Sequence, residues 1–134
     1  MNQTEKTFAD YKGTENVLVV EDEEMTRNMV TEILEGLGYT VLNAPNAETA
    51  IEISDDFEDD IHLLLSDVIM PLMNGKQLSN QLAMSRPTMK VLFMSGYTDN
   101  MLAPYGILEE NIHFLQKPFS VKILTQKVRE TLDS

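Results

Sequence analysis

Val17-Leu18-Val19-Val20-Glu21-Asp22-Glu23-Glu24 is the stretch from which the rest of the chain can be read. Four apolar residues in a row describe a strand covered on both faces, because a strand with one face in water alternates polar and apolar side chains. Acidic residues follow at once, and then Met29, Val30, Ile33, Leu34 and Leu37 recur at helical spacing and stop at Gly38. The alternation continues outward. Residues 39–42 form a second strand candidate, and Asn46 can cap a helix with Ala47, Ala50 and Ile51 on its inner face. Leu63-Leu64-Leu65 predicts a third strand, followed by a helix marked by Leu78 and Leu82 that must end by Arg86-Pro87. Val91-Leu92-Phe93-Met94 and residues 112–116 supply the fourth and fifth strands. Ser120 caps a last helix carrying Val121, Leu124, Val128 and Leu132 on one face. Between strands four and five, residues 98–102 predict a turn or two of helix, cut short by Pro104 and Gly106.

Five doubly covered strands alternating with helices predict an α/β fold: a doubly wound, five-stranded parallel sheet with right-handed crossovers and helices on both faces. The 134 residues suit one domain, expected over 16–134, with residues 1–15 as a leader or linker. The composition excludes several classes. There are no cysteines, so disulfide scaffolds, thiolate metal sites and cysteine nucleophiles are out. No apolar run approaches a membrane span, and the first fifteen residues are too polar for a signal peptide, which makes a cytoplasmic location the expectation. A net charge of −12 argues against nucleic acid or direct contact with an anionic membrane. The excess lies in the first half, where residues 1–67 carry 3 basic and 17 acidic side chains. Much of it is the run Glu52, Asp55, Asp56, Glu58, Asp59 and Asp60, read as a solvated helix end and loop. Met29 and Met94 read as core filler, and His62 and His113 as structural.

In such sheets ligands bind beyond the carboxyl ends of the strands. Strand one delivers Glu21-Asp22-Glu23-Glu24 there, strand three Ser66-Asp67, strand four Ser95-Gly96 and strand five Lys117-Pro118. Each has a bland explanation alone, such as acids complementing a helix dipole or a serine in a turn. Together they place carboxylates, a hydroxyl and an ammonium on one rim. Clustered carboxylates stay ionised most easily around a hard cation. Mg²⁺ fits, since it takes a few carboxylate oxygens, keeps waters and contacts phosphate. Lys117 would add a compact positive charge for phosphoryl oxygens.

The acidic pair after strand one, Asp67 with Met70-Pro71 and Asn74-Gly75 behind it, Ser95 after strand four and Lys117-Pro118-Phe119 after strand five resemble the receiver domain of two-component response regulators. The resemblance covers roughly residues 16–133. The segments 65–71, 93–98 and 114–119 look most similar to receivers attached to hybrid sensor histidine kinases. The resemblance implies a flavodoxin-like sheet of order 2-1-3-4-5 and a set of roles. Asp67 matches the phosphoacceptor, taking a phosphoryl group from a phosphohistidine. Asp22, Asp67 and the backbone carbonyl of Ile69 match the Mg²⁺ ligands, with Glu21 reaching the ion through water. Lys117 matches the lysine that contacts the phosphoryl group, Ser95 the switch hydroxyl and Phe114 the switch aromatic. Ile69 and Tyr97 occupy the positions flanking the phosphoryl group, where bulk without a carboxylate or amide predicts slow hydrolysis. The implied partners are a histidine kinase or histidine phosphotransfer domain; a monomer is favoured, and the isolated domain is expected to be no enzyme beyond its own phosphotransfer and dephosphorylation. The domain would be either the cytoplasmic part of a membrane-bound hybrid sensor kinase or a free-standing cytoplasmic receiver.

Departures from the family pattern qualify these roles. Ser95 replaces the commoner threonine but retains the donor, and Phe114 lacks the phenol that many receivers carry. The shortened fourth helix argues against a standard dimer through that face. With the sequence ending at Ser134, a DNA-binding output module is not expected within it. Two rivals differ in class. An aspartate-nucleophile phosphohydrolase on a similar sheet would carry Asp-x-Asp after the first strand, where Glu21-Asp22-Glu23 stands instead. A phosphorylation-independent binding module would be expected to lose the acceptor or the acidic pair, and both are kept.

Overall fold

In the computed structural model, which describes residues 8–96 and 112–134, five strands form one parallel sheet in the order β2-β1-β3-β4-β5. The strands are β1 (Asn16–Val20), β2 (Thr40–Ala44), β3 (Leu63–Asp67), β4 (Lys90–Ser95) and β5 (His113–Gln116). Four helices accompany them among the described residues: α1 (Glu24–Gly36), α2 (Ala47–Asp56), α3 (Gly75–Ala83) and α4 (Val121–Asp133). Order and parallel sense are those expected. The second strand begins one residue later than its apolar pattern suggested, and Tyr39 is buried just before it. The short helix expected at 98–102, with Pro104 and Gly106, lies outside the described residues.

Alternation along the strands divides the core into two layers. Val17, Val19, Leu63, Leu65, Leu92, Met94 and Leu115 meet α1 through Val30 and Leu34, and α4 through Leu124 and Val128. Leu18, Val20, Ala44 and Leu64 face the other way, onto Ala47 and Ala50 of α2 and Leu78 and Leu82 of α3. β3 is buried at all five positions, as a central strand between two helix layers must be. Caps appear where the sequence placed them. Asn46 accepts from Thr49 N at 2.8 Å, and Ser120 accepts from Ile123 N at 3.1 Å. Asn74 and Gln77 form a reciprocal capping box at the start of α3. The acidic run from Glu52 to Asp60 is solvent-exposed, while Arg86 donates to the carbonyls of Ser54, Phe57 and Asp59 and so closes the end of α2.

Met94 is buried as expected, but Met29 is not core filler: it is 42% exposed, and Met25 beside it 82%. The helical period placed Met29 next to Val30, yet α1 turns only the Val30–Leu34 stripe fully inward. Residues before β1 also take part in the fold. A short 3₁₀ turn (Phe8–Tyr11) packs against α4, and Tyr11 is buried. The Tyr39 hydroxyl donates to Tyr11 O at 2.9 Å, and Arg129 reaches Lys12 O, Glu15 and the Tyr39 hydroxyl. Gly38 permits this approach. Its φ of +103° ends α1 in the left-handed region, and any Cβ there would lie 2.5 Å from Gly13 O.

Candidate functional site

The sheet brings the predicted rim residues together. β1 and β3 are neighbours, so Glu21 and Asp22, leaving β1, stand beside Asp67 at the end of β3. β4 and β5 lie next, with Met94 opposite Leu115 and Ser95 opposite Gln116, which carries Lys117 to the same edge. Lys117 N donates to Ser95 O at 2.9 Å, extending that ladder by one bond past the strand, and the Lys117–Pro118 peptide is cis. Ser95 is buried, Asp67 is 8% exposed and Glu21 is fully buried, whereas Asp22 is exposed.

The charges interlock. Lys117 Nζ forms a short ion pair with Glu21 Oε1 and lies 3.5 Å from Asp67 Oδ2. One oxygen each from Glu21, Asp22 and Asp67 lie within 4.8 Å of one another. Burial pushes the Asp67 carboxyl up, and the neighbouring Glu21 pushes it further, to about 7, against the opposing pull of Lys117. Asp22 is raised for the same two reasons in the same order. Burial would raise Glu21 as well, but its hydrogen bond from Lys117 and those shared with Asp67 and Asp22 hold it below the ordinary range. Burial opposes the charge on Lys117, yet Glu21 and Asp67 raise its pKa, so the ammonium stays charged. Three carboxylates with one ammonium leave net negative charge in a partly dry site. All the donors are hard oxygens, the chemistry that suits Mg²⁺.

The backbone behind Asp67 is tightly drawn. Gly75 N donates to Val68 O at 2.7 Å, and Ser66 Oγ donates to Asp67 O at 2.9 Å. A Cβ on Gly75 would come within 2.3 Å of Asp67 O, so glycine is what lets α3 start against the Asp67 carbonyl. Between them Leu72 adopts φ 71° with its side chain wholly exposed. Ile69 and Phe114 both pack on the small cluster of Val68 and Phe93. Tyr97, the other expected neighbour of the phosphoryl group, lies outside the described residues.

Residues 17–129 match the response regulator receiver domain family. The chain belongs to that family. The receiver is 36% identical over 124 residues to the sensor kinase CckA of Brucella abortus, covering 92% of this chain and 13% of that protein. It is 29% identical over 116 residues to the response regulator receiver protein CpdR of the same organism, covering 87% of this chain and 95% of CpdR. Among solved structures, the receiver domain of the hybrid histidine kinase CckA superposes with a TM-score of 0.74 at 35% identity, covering 87% of this chain and 98% of that one. Some relatives are much longer, and the chain spans only 30% of a cyclic di-GMP phosphodiesterase of Thermotoga maritima that it also matches. No helix among the described residues of the receiver is long and apolar enough to cross a membrane.

Several features of the receiver's site had no reading in the sequence. Glu21 was expected only to act on the ion through water; the structure pairs it with Lys117. That pairing spans 96 residues, and no local pattern signals it. Asn74-Gly75 was part of the motif, but the contact that requires the glycine exists only once α3 is docked on β3. Arg27, whose Nη1 donates to Glu21 O at 2.9 Å, was not singled out at all.

Proposed function

We propose that this receiver takes a phosphoryl group from a phosphohistidine onto Asp67 in a Mg²⁺-dependent reaction. The observation that carries the reading is the placement of Lys117 Nζ between Glu21 and Asp67 at the carboxyl edge of the sheet, with Asp22 beside them. An oxygen of Asp67 attacks phosphorus as the bond from phosphorus to the imidazole nitrogen breaks, and the imidazole departs to the donor. Little else is asked of the protein, because phosphoryl transfer depends on positioning and on neutralising the charge that spreads over the equatorial oxygens. Asp22, Asp67 and the Ile69 carbonyl would hold Mg²⁺, with Glu21 behind them. Bound there, the ion supplies positive charge to a phosphoryl oxygen. Lys117, already charged and aimed at Asp67, attracts a second oxygen. Ser95, the last residue of the neighbouring strand β4, would offer its hydroxyl to a third, and Phe114 on β5 would report the change by altering its packing on Phe93.

The donor would be a histidine kinase or a histidine phosphotransfer domain. Support comes from exposed Met25 and Met29 on α1 and a groove of about 520 Å³ lined by Glu23, Thr26, Met29, Gly96, Lys117, Pro118 and Phe119. An apolar surface beside the acceptor suits a protein donor better than a small one. The receiver would act in the cytoplasm as a monomer, with no enzymatic activity beyond its own phosphorylation and dephosphorylation and no contact with nucleic acid. A hybrid kinase is the favoured parent, given the CckA similarity. Residues 16–134 would constitute the phosphoaccepting domain, with residues 8–15 packed onto it.

The test is incubation with acetyl phosphate and Mg²⁺, followed by intact mass. A gain of one phosphoryl group is expected, lost in Asp67→Asn and in EDTA. Unchanged labelling in Asp67→Asn would move the acceptor elsewhere. Absence of any labelling would favour a phosphorylation-independent module.

A further inference from the structure

We infer that Arg27 is a positioning residue for the cation site, acting on Asp22 through the backbone of Glu21; the inference rests on the Mg²⁺ reading above. Arg27 lies in the first turn of α1, and its guanidinium is spent on a backbone carbonyl: Nη1 donates to Glu21 O at 2.9 Å. The turn that joins β1 to α1 has reason to need such a bond. Glu23, at the N-cap, is extended (φ −81°, ψ 114°) and makes no side-chain capping hydrogen bond. The other three helices among the described residues are each capped by Asn46, Asn74 or Ser120. At α1 the loop is held instead by three other bonds. Glu21 N donates to Ala44 O at 3.1 Å, Glu23 N donates to Glu21 Oε2 at 3.3 Å, and Arg27 holds Glu21 O.

Planarity makes that last bond consequential. The peptide linking Glu21 to Asp22 is a rigid plane, so fixing its oxygen also fixes the direction in which the Cα of Asp22 leaves the strand. Glu21 and Asp67 are buried and held by Lys117, whereas Asp22 is exposed. Its position therefore depends more on its backbone, which Arg27 braces at the Glu21 carbonyl. Groups that orient metal ligands without touching the ion commonly change its affinity when removed.

Electrostatics points the other way, which makes the inference decidable. A guanidinium near a divalent-cation site repels the ion, so by charge alone Arg27→Gln should tighten Mg²⁺ binding. By positioning it should weaken it. The experiment is a Mg²⁺ titration of the whole 134-residue chain followed by amide shifts of the β1–α1 and β3–α3 loops. Arg27→Gln is expected to raise the Mg²⁺ Kd about tenfold. Arg27→Lys, whose ammonium can still reach a carbonyl, should fall between. Arg86→Gln serves as the control, removing a hydrogen-bonded guanidinium from the end of α2 and lowering stability without moving the Mg²⁺ Kd. Equal or tighter Mg²⁺ binding by Arg27→Gln overturns the inference, as does an equal weakening by Arg86→Gln. Should Arg27→Gln not fold, Arg27→Lys decides: it must bind more weakly than wild type. Failure of the wild-type chain itself to bind Mg²⁺ would instead remove the cation site, and the inference with it.

Discussion

Replacing Asp67 by Asn should stabilise the metal-free protein even as it removes the proposed acceptor. Asp67 is buried among Glu21 and Asp22, with Lys117 already committed to Glu21, so its ionisation is opposed in the folded state. A carboxyl raised from 3.8 to about 7 corresponds to roughly 4 kcal/mol against the charged form, at about 1.4 kcal/mol per pH unit. Solvent at exposed Asp22 and the loss of the 3.5 Å contact with Lys117 reduce this, leaving an expected gain of about 2 kcal/mol near pH 8. The sign follows from proton counting. Through the window from about 4 to about 7 the folded state holds a proton that the unfolded state has released, so stability falls as pH rises, and the deficit is complete above it. In EDTA near pH 8, Asn should raise Tm by about 6 °C for a chain of this size. The advantage should shrink towards about pH 4, where Asp67 is protonated in both states. Added Mg²⁺ should raise the Tm of wild type and leave that of Asp67→Asn nearly unchanged. Thermal unfolding across this pH range, with and without Mg²⁺, measures all three effects. An Asn variant no more stable than wild type near pH 8 in EDTA, or an advantage independent of pH, would refute the reasoning.

Arg129→Ala should cost about 2 kcal/mol in urea unfolding, because it breaks charge-assisted bonds to Glu15 and Asp133 and releases Lys12 O, and trypsin should then cut faster after Lys12. Arg129 holds the Glu15 carboxyl below its ordinary value, so the penalty of Glu15→Gln should be full above about pH 5 and fade as pH falls through the lowered folded value. Gly75→Ala should destabilise by about 3 kcal/mol and slow labelling by acetyl phosphate, since its methyl would press on Asp67 O, whereas Gly36→Ala, with open space around it, should be neutral or stabilising. The double change Ile69→Asn, Tyr97→Glu should hasten loss of the phosphoryl group about tenfold in a decay assay, by giving an attacking water a partner; an unchanged half-life would count against water exclusion.

The order of elements and the identity of the rim residues were readable because both follow from short-range rules. An apolar run such as Val17-Leu18-Val19-Val20 declares a doubly covered strand wherever it sits, and strand ends in a parallel sheet all point to one edge. Asp67, Lys117 and Ser95 could be proposed without knowing any distance between them. What the pattern could not convey was how they share charge. Burial of Glu21 and its capture of Lys117 come from residues far apart in the chain, and they leave Asp67 as the carboxyl that is hardest to ionise. The exposure of Met29 shows a similar limit, since helical spacing marks a stripe but not its width, which depends on the neighbouring elements. The segment before β1 looked like a bare leader because it has no periodicity of its own. Its Tyr11 is nevertheless buried and its Lys12 carbonyl bonded, through partners at Tyr39 and Arg129. Sequence by itself therefore determined the elements, their order and the edge at which chemistry gathers, all of which depend on residue spacing. The tertiary structure decided which charges pair, which backbone groups brace them and what packs against the outside, because those depend on distances that exist only after the chain has closed on itself.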